Sequence, residues 1–84
     1  MKKIIITLTN DKRTFAYDLE LPTDLEYEKL IDDVVQAVIS YNPDLMYQTL
    51  KTKIIIPKLK MREMKDGETL EKLGVFNGDY LIIR

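Results

Sequence analysis

Eighty-four residues are enough for one domain with a single hydrophobic core, and 45% hydrophobic content supplies it without disulfides or structural metal. The 13 basic and 14 acidic side chains nearly cancel, so no global field draws the chain to nucleic acid or anionic lipid. Without cysteine or histidine there are no thiol nucleophiles, no thiolate or imidazole metal sites, and none of the commonest general base.

The apolar runs are three or four residues long, far short of the roughly 20 that cross a bilayer. The opening MKKIII has the charged start of a secretory signal, but Thr7, Thr9, Asn10 and Asp11 interrupt it and no small-residue cleavage site follows. The expectation is a cytoplasmic protein without membrane insertion, forming a single domain over residues 1–84.

Lys3 to Thr9, KIIITLT, is β-branched and reads as a strand, and Asn10 to Arg13 follows as a turn. Thr14 to Leu21 alternates: Phe15, Tyr17, Leu19 and Leu21 point one way, and Thr14, Ala16, Asp18 and Glu20 the other. This predicts an N-terminal hairpin with one face on a core. Thr23 and Glu26 have the spacing of a capping box, predicting a helix start there. The helix would carry Tyr27, Leu30, Ile31, Val34, Ala37, Val38 and Tyr41 as its apolar stripe, with Lys29, Asp32, Asp33, Gln36 and Ser40 opposite. Asn42-Pro43 ends it.

After a connection, TLKTKIIIP (49–57) predicts a third strand, with Thr52, Ile54 and Ile56 on one face and Lys51, Lys53 and Ile55 on the other. KLKMREMK (58–65) fits a short fourth strand or a loop. A turn at Asp66-Gly67, a helical turn from Leu70 to Leu73, a stop at Gly74, a turn at Asn77-Gly78 and a last strand complete the chain. A chain that opens on a hairpin, crosses over by one helix and ends on an apolar strand predicts an α+β roll, the last strand parallel to the first in the sheet centre.

Two stretches, ITLTNDKRTFAYDLELPTD near the start and KDGETLEKLGVFNGDYLIIR at the end, resemble the ubiquitin-like β-grasp superfamily. The implied fold is a mixed sheet of four to five strands packed on one amphipathic helix. Leu73-Gly74-Val75, Gly78-Asp79 and the strand Tyr80 to Ile83 are most similar to the YukD-like proteins, bacterial ubiquitin-like components of type VII secretion systems. That resemblance implies a cytosolic accessory or regulatory role with a protein partner, a secretion-system ATPase or a membrane component, and no enzyme activity.

Modifiers and sulfur carriers need a flexible C-terminal Gly-Gly, because only glycine lets the backbone pass into an adenylating active site. Here Arg84 follows the strand, and Gly67, Gly74 and Gly78 all fall in turns. The expectation is a chain that is bound and not conjugated; a modifier or sulfur-carrier role would require a longer native C-terminus. Another ubiquitin-like adaptor role is the remaining alternative. Asp32 and Asp33 diverge by about 100° on a helix and cannot share one proton or ion, so catalytic, metal and cofactor sites are expected to be absent.

Between Asp18 and Asp33 seven acidic residues stand against Lys29; between Lys51 and Lys65 six basic residues stand against Glu63. Solvated faces account for this segregation, and an oriented dock or a head-to-tail homodimer is the functional alternative. Strand parity places Ile5 and Ile55 outward, and the family pattern does the same for Tyr80 and Ile82. The expected partner-binding patch is therefore Ile5, Ile55, Tyr80 and Ile82, with Lys51 and Lys53 beside it. Nucleic-acid binding through the basic stretch from Lys51 to Lys65 is a third possibility, and it would be steeply salt-dependent.

Overall fold

The β-branched run at the N-terminus forms the longest strand, β1 (Lys3–Asn10), and the alternating segment after it forms β2 (Ala16–Pro22). They pair antiparallel, from Lys3 against Pro22 to Thr9 against Ala16. The computed structural model describes residues 2–45 and 51–84. Helix α1 (Tyr27–Tyr41) crosses one face of the sheet, and β3 (Ile54–Ile56), a 3₁₀ turn (Pro57–Leu59), β4 (Arg62–Glu63) and β5 (Tyr80–Ile83) follow.

The sheet order is β2-β1-β5-β3-β4, with β5 parallel to β1 and the other pairs antiparallel. The last strand thus lies in the sheet centre, as its apolar character predicts. Its inward residues Leu81 and Ile83 are fully buried, as are Ile6, Leu8, Ile54 and Ile56 on the same face. Leu30, Ile31, Val34, Val35 and Val38 of α1 close this core from the other side, with Met64, Leu70 and Val75 at its margin.

Several local expectations are corrected. Thr23 and Glu26 do not form a capping box: Glu26 itself occupies the N-cap position, without a side-chain cap, and the helix starts at Tyr27. Thr23 is engaged elsewhere. Its amide and hydroxyl both donate to the Lys2 carbonyl, at 3.0 and 3.3 Å, so it extends the hairpin ladder by one residue. Tyr41, expected in the buried stripe, is exposed, and its ring stacks on Tyr17 at 4.6 Å. Val35, which the stripe omits, is buried.

The third strand is three residues long within the described part of its predicted span; Thr49 and Leu50 lie outside the described residues. Segment 58–65 is both a turn and a strand: Pro57 opens the 3₁₀ turn, Lys60 and Met61 take left-handed conformations with φ 60° and 61°, and β4 then pairs back on β3. Two successive non-glycine residues at positive φ are sterically costly, but they let the chain reverse direction within a few residues.

Candidate interaction surface

The pairing register orders the sheet face turned away from α1 into rows. Ala16, Thr9, Ile82, Ile55 and Glu63 form one row across all five strands. Asp18, Thr7 and Tyr80 form the next, and Glu20 with Ile5 the one beyond. On the other side of the Ile82–Ile55 row, Lys53 and Arg84 exchange backbone hydrogen bonds, both 2.9 Å.

All four apolar residues of the predicted patch therefore lie on the outer face, but two are not exposed. Ile5 and Tyr80 are 52% and 56% accessible, whereas Ile55 is 1% and Ile82 6%. The patch is corrected accordingly: Ile55 and Ile82 are neighbours beneath other groups, flanked by Thr9 on one side and Glu63 on the other. The 3₁₀ turn packs against β5, and its Pro57 and Lys58 line the same depression as Ile82. Lys53, bonded to Arg84, is exposed at the far end of the face from Ile5, and Lys51 is exposed two residues before it outside any strand, so the six predicted residues do not make one continuous exposed surface.

Lys53 donates to the Glu63 carboxylate at 2.8 Å, and that hydrogen bond raises the Lys53 pKa. Beside it Arg84 donates two bonds to Asp11, at 2.8 and 2.7 Å, which hold the Asp11 carboxyl below its ordinary value. Thr9, polar and buried, donates from Oγ1 to the Phe15 carbonyl at 2.6 Å.

The Asn77-Gly78 turn organises the exposed end. Asn77 Oδ1 accepts from the Ile5 amide, and the Gly78 amide donates to the Ile5 carbonyl, both at 2.8 Å. Gly78 has φ 87°, which glycine adopts without strain. Asp79 Oδ2 accepts from the Phe76 amide at 2.7 Å and from Lys58 Nζ at 2.5 Å. Burial pushes the Asp79 carboxyl up, but these two donors outweigh it and the net displacement is downward. Lys58 Nζ also lies 4.5 Å from the centre of the Phe76 ring. Phe76, 67% accessible, was not in the predicted patch; its place beside the Gly78-Asp79 turn was the one available signal.

A depression of about 340 Å³ adjoins this end, with Ile82 and Tyr80 among its apolar lining and Arg13 and Lys58 among its cations. Elsewhere, Glu26 and Glu28 come together at the helix start. Their mutual hydrogen bond raises Glu26 and lowers Glu28, whose carboxylate also accepts from the Gly67 amide at 3.0 Å. Among the described residues, no three acidic side chains converge as a metal site requires. No helix among them is long and apolar enough to cross a membrane.

One helix on a five-stranded mixed sheet with β5 parallel beside β1 is a ubiquitin-like β-grasp fold. The ubiquitin-like domain of the Mycobacterium tuberculosis type VII secretion system protein EccD1 superposes with a TM-score of 0.74 at 23% identity, covering 99% of this chain and 98% of that one. Caldiarchaeum subterraneum ubiquitin gives 0.69 at 23% identity, covering 98% and 91%. A protein designed from ubiquitin gives 0.70 at 15%, covering 98% and 87%.

Residues 4–83 match the model of the YukD family, described as protein YukD of the WXG100 protein secretion system. The chain belongs to that family. No curated protein matches it in sequence.

Proposed function

We propose that this protein is a non-catalytic interaction module of a type VII secretion system, acting in the bacterial cytoplasm as a single domain that is bound and not conjugated. Family membership supports the secretion setting. The observation that carries the interaction role is the exposure of Ile5 and Tyr80 on the outer sheet face, with Phe76 exposed at the turn that leads into β5 and bonds to the Ile5 backbone. Exposed apolar groups gathered at one place mark contact surfaces more often than chance.

The partner is a protein of the secretion machinery, its ATPase or a membrane component. Ile5 and Tyr80 make the contact; Ile82 and Ile55 form the packed row beside them on the same face, and Lys51 and Lys53 are a basic margin beyond it. Replacing Ile5 and Tyr80 together with serine tests this, because neither side chain is buried. The folded double variant is expected to lose co-purification with the ATPase and membrane components of the native host, and retention of every partner would overturn the reading. Mass spectrometry of the chain isolated from that host tests the absence of conjugation, with a Gly-Gly end or an isopeptide adduct as the contrary result.

A further inference from the structure

The two sides of β2 differ in a way the ladder makes explicit. The Thr7 amide donates to the Asp79 carbonyl at 3.0 Å, and Ile5 exchanges bonds with Asn77 and Gly78. Amide and carbonyl of one strand residue point to the same side, so Ile5 and Thr7 are turned toward β5 and away from β2. Their opposite numbers Glu20 and Asp18 are then non-hydrogen-bonded pairs with β1, and their own amides and carbonyls point off the sheet edge. Pro22 falls in the same phase, where its missing N–H removes no ladder bond.

Among the described residues, one group caps this edge: the Tyr41 hydroxyl, 3.4 Å from the Asp18 carbonyl. Alongside it, between β2 and α1, runs an open groove of about 730 Å³ whose apolar floor is Leu25 and Ala37 over the buried Leu19 and Leu21, with Asp33, Gln36 and Ser40 of α1 along its polar wall. Asp18 and Glu20 stand exposed above the edge, Asp18 accepting from the Thr7 hydroxyl at 2.8 Å and Glu20 lying 3.7 Å from Lys3.

The geometry points to a second binding site, independent of the outer-face contact: the β2 edge takes up an extended segment of a partner protein as a sixth strand. Its residues alternate between basic side chains over Asp18 and Glu20 and apolar side chains in the groove beside α1. Main-chain bonds to Asp18 and Glu20 supply the attachment, and the alternating side chains supply the selection. Charge decides the occupant. A second copy pairing edge to edge would set Asp18 and Glu20 against their own counterparts, and like charges directly opposite are destabilising.

The probe is a blocked peptide about seven residues long, matched to the strand, of alternating lysine and valine. In the free protein the Asp18 and Glu20 amides should exchange with solvent quickly while that of Leu19 is protected; with peptide, the Asp18 and Glu20 amides should become protected in NMR hydrogen exchange. Asp18→Lys combined with Glu20→Lys should weaken this binding roughly tenfold, since two cross-strand attractions become repulsions, and should admit a glutamate–valine peptide instead. Glu20→Pro should abolish it while Leu19 stays protected, because the lost N–H serves no internal bond.

Three results would overturn the site: unchanged exchange of the Asp18 and Glu20 amides, equal protection by a peptide with its lysines in one block, or protection that rises with protein concentration alone, which would mean self-pairing. Variants at Ile5 and Tyr80 should leave the peptide's effect intact, so failure here and failure of the outer-face contact are separable.

Discussion

Ile5 and Ile55 are both isoleucines, both in strands of one sheet and both on its outer face, yet one is 52% accessible and the other 1%. At Ile5 the neighbours are Glu20 across the hairpin and the Asn77-Gly78 turn, which bonds to the Ile5 backbone and leaves its side chain open. Ile55 instead has Ile82 on one side and Glu63 on the other, close to where the chain doubles back after Pro57. The outer face is therefore two regions, a packed row of Thr9, Ile82 and Ile55 across β1, β5 and β3, and an open end at Ile5 and Tyr80. Exposure depends on what crosses above a residue as well as on the direction it points.

The sharpest way to break this comparison is to place the same charge in both regions. Ile55→Asp buries an unpaired carboxylate and should lose more than about 3 kcal/mol in urea unfolding, a large share of what a domain of this size holds. Ile5→Asp should lose about 1 kcal/mol or less, the range of strand preference at an open site. Equal losses would mean that the two regions are not different.

Truncation sharpens the contrast within β5. Ile83→Ala leaves a cavity in the closed core and should lose toward 5 kcal/mol, whereas Ile82→Ala widens a depression open to the surface and should lose nearer 2 kcal/mol. The turn beside the packed row can be relaxed: Lys60→Gly removes the steric conflict of a side chain at φ 60° and should gain up to about 1 kcal/mol in the same assay.

The smallest expected effects come from the ion pair that ties this turn to β5. Lys58→Ala should lose a few tenths to about 1 kcal/mol, because Lys58 and Asp79 are partly solvated. It should also raise the Asp79 pKa, measurable by NMR titration. The sign of the pH effect follows from the depressed carboxyl. The stability Asp79 contributes is present above the ordinary aspartate range and disappears as pH falls through its lowered folded-state value. Unfolding in acid should therefore lose this component in the parent and a smaller one in Lys58→Ala, where the Phe76 amide still donates to Asp79.

The hairpin, the buried parity of Leu19 and Leu21, the helix with its stop at Asn42 and the central place of Tyr80 to Ile83 were all legible in the chain. Each rests on a local period or a turn residue. The capping box misled because Thr23 satisfied its hydrogen bonds with Lys2, a partner 21 residues away that spacing alone does not reveal. The patch was legible by face and not by burial: Ile5 and Tyr80 are open, Ile55 and Ile82 are covered, and Lys51 and Lys53 lie at the other end.

Alternation along a strand determines which side of the sheet a residue occupies, since successive Cβ atoms must point to opposite faces. That much about this protein was set by sequence: the inner rows, the outer rows and the amphipathic helix that covers the inner ones. Only tertiary structure decided that Thr23 bonds to Lys2, that the turn after Pro57 lies against β5, and that the amides and carbonyls of Asp18 and Glu20 face outward. Those outcomes depend on groups far apart in the chain meeting in one place, and no local period carries that information.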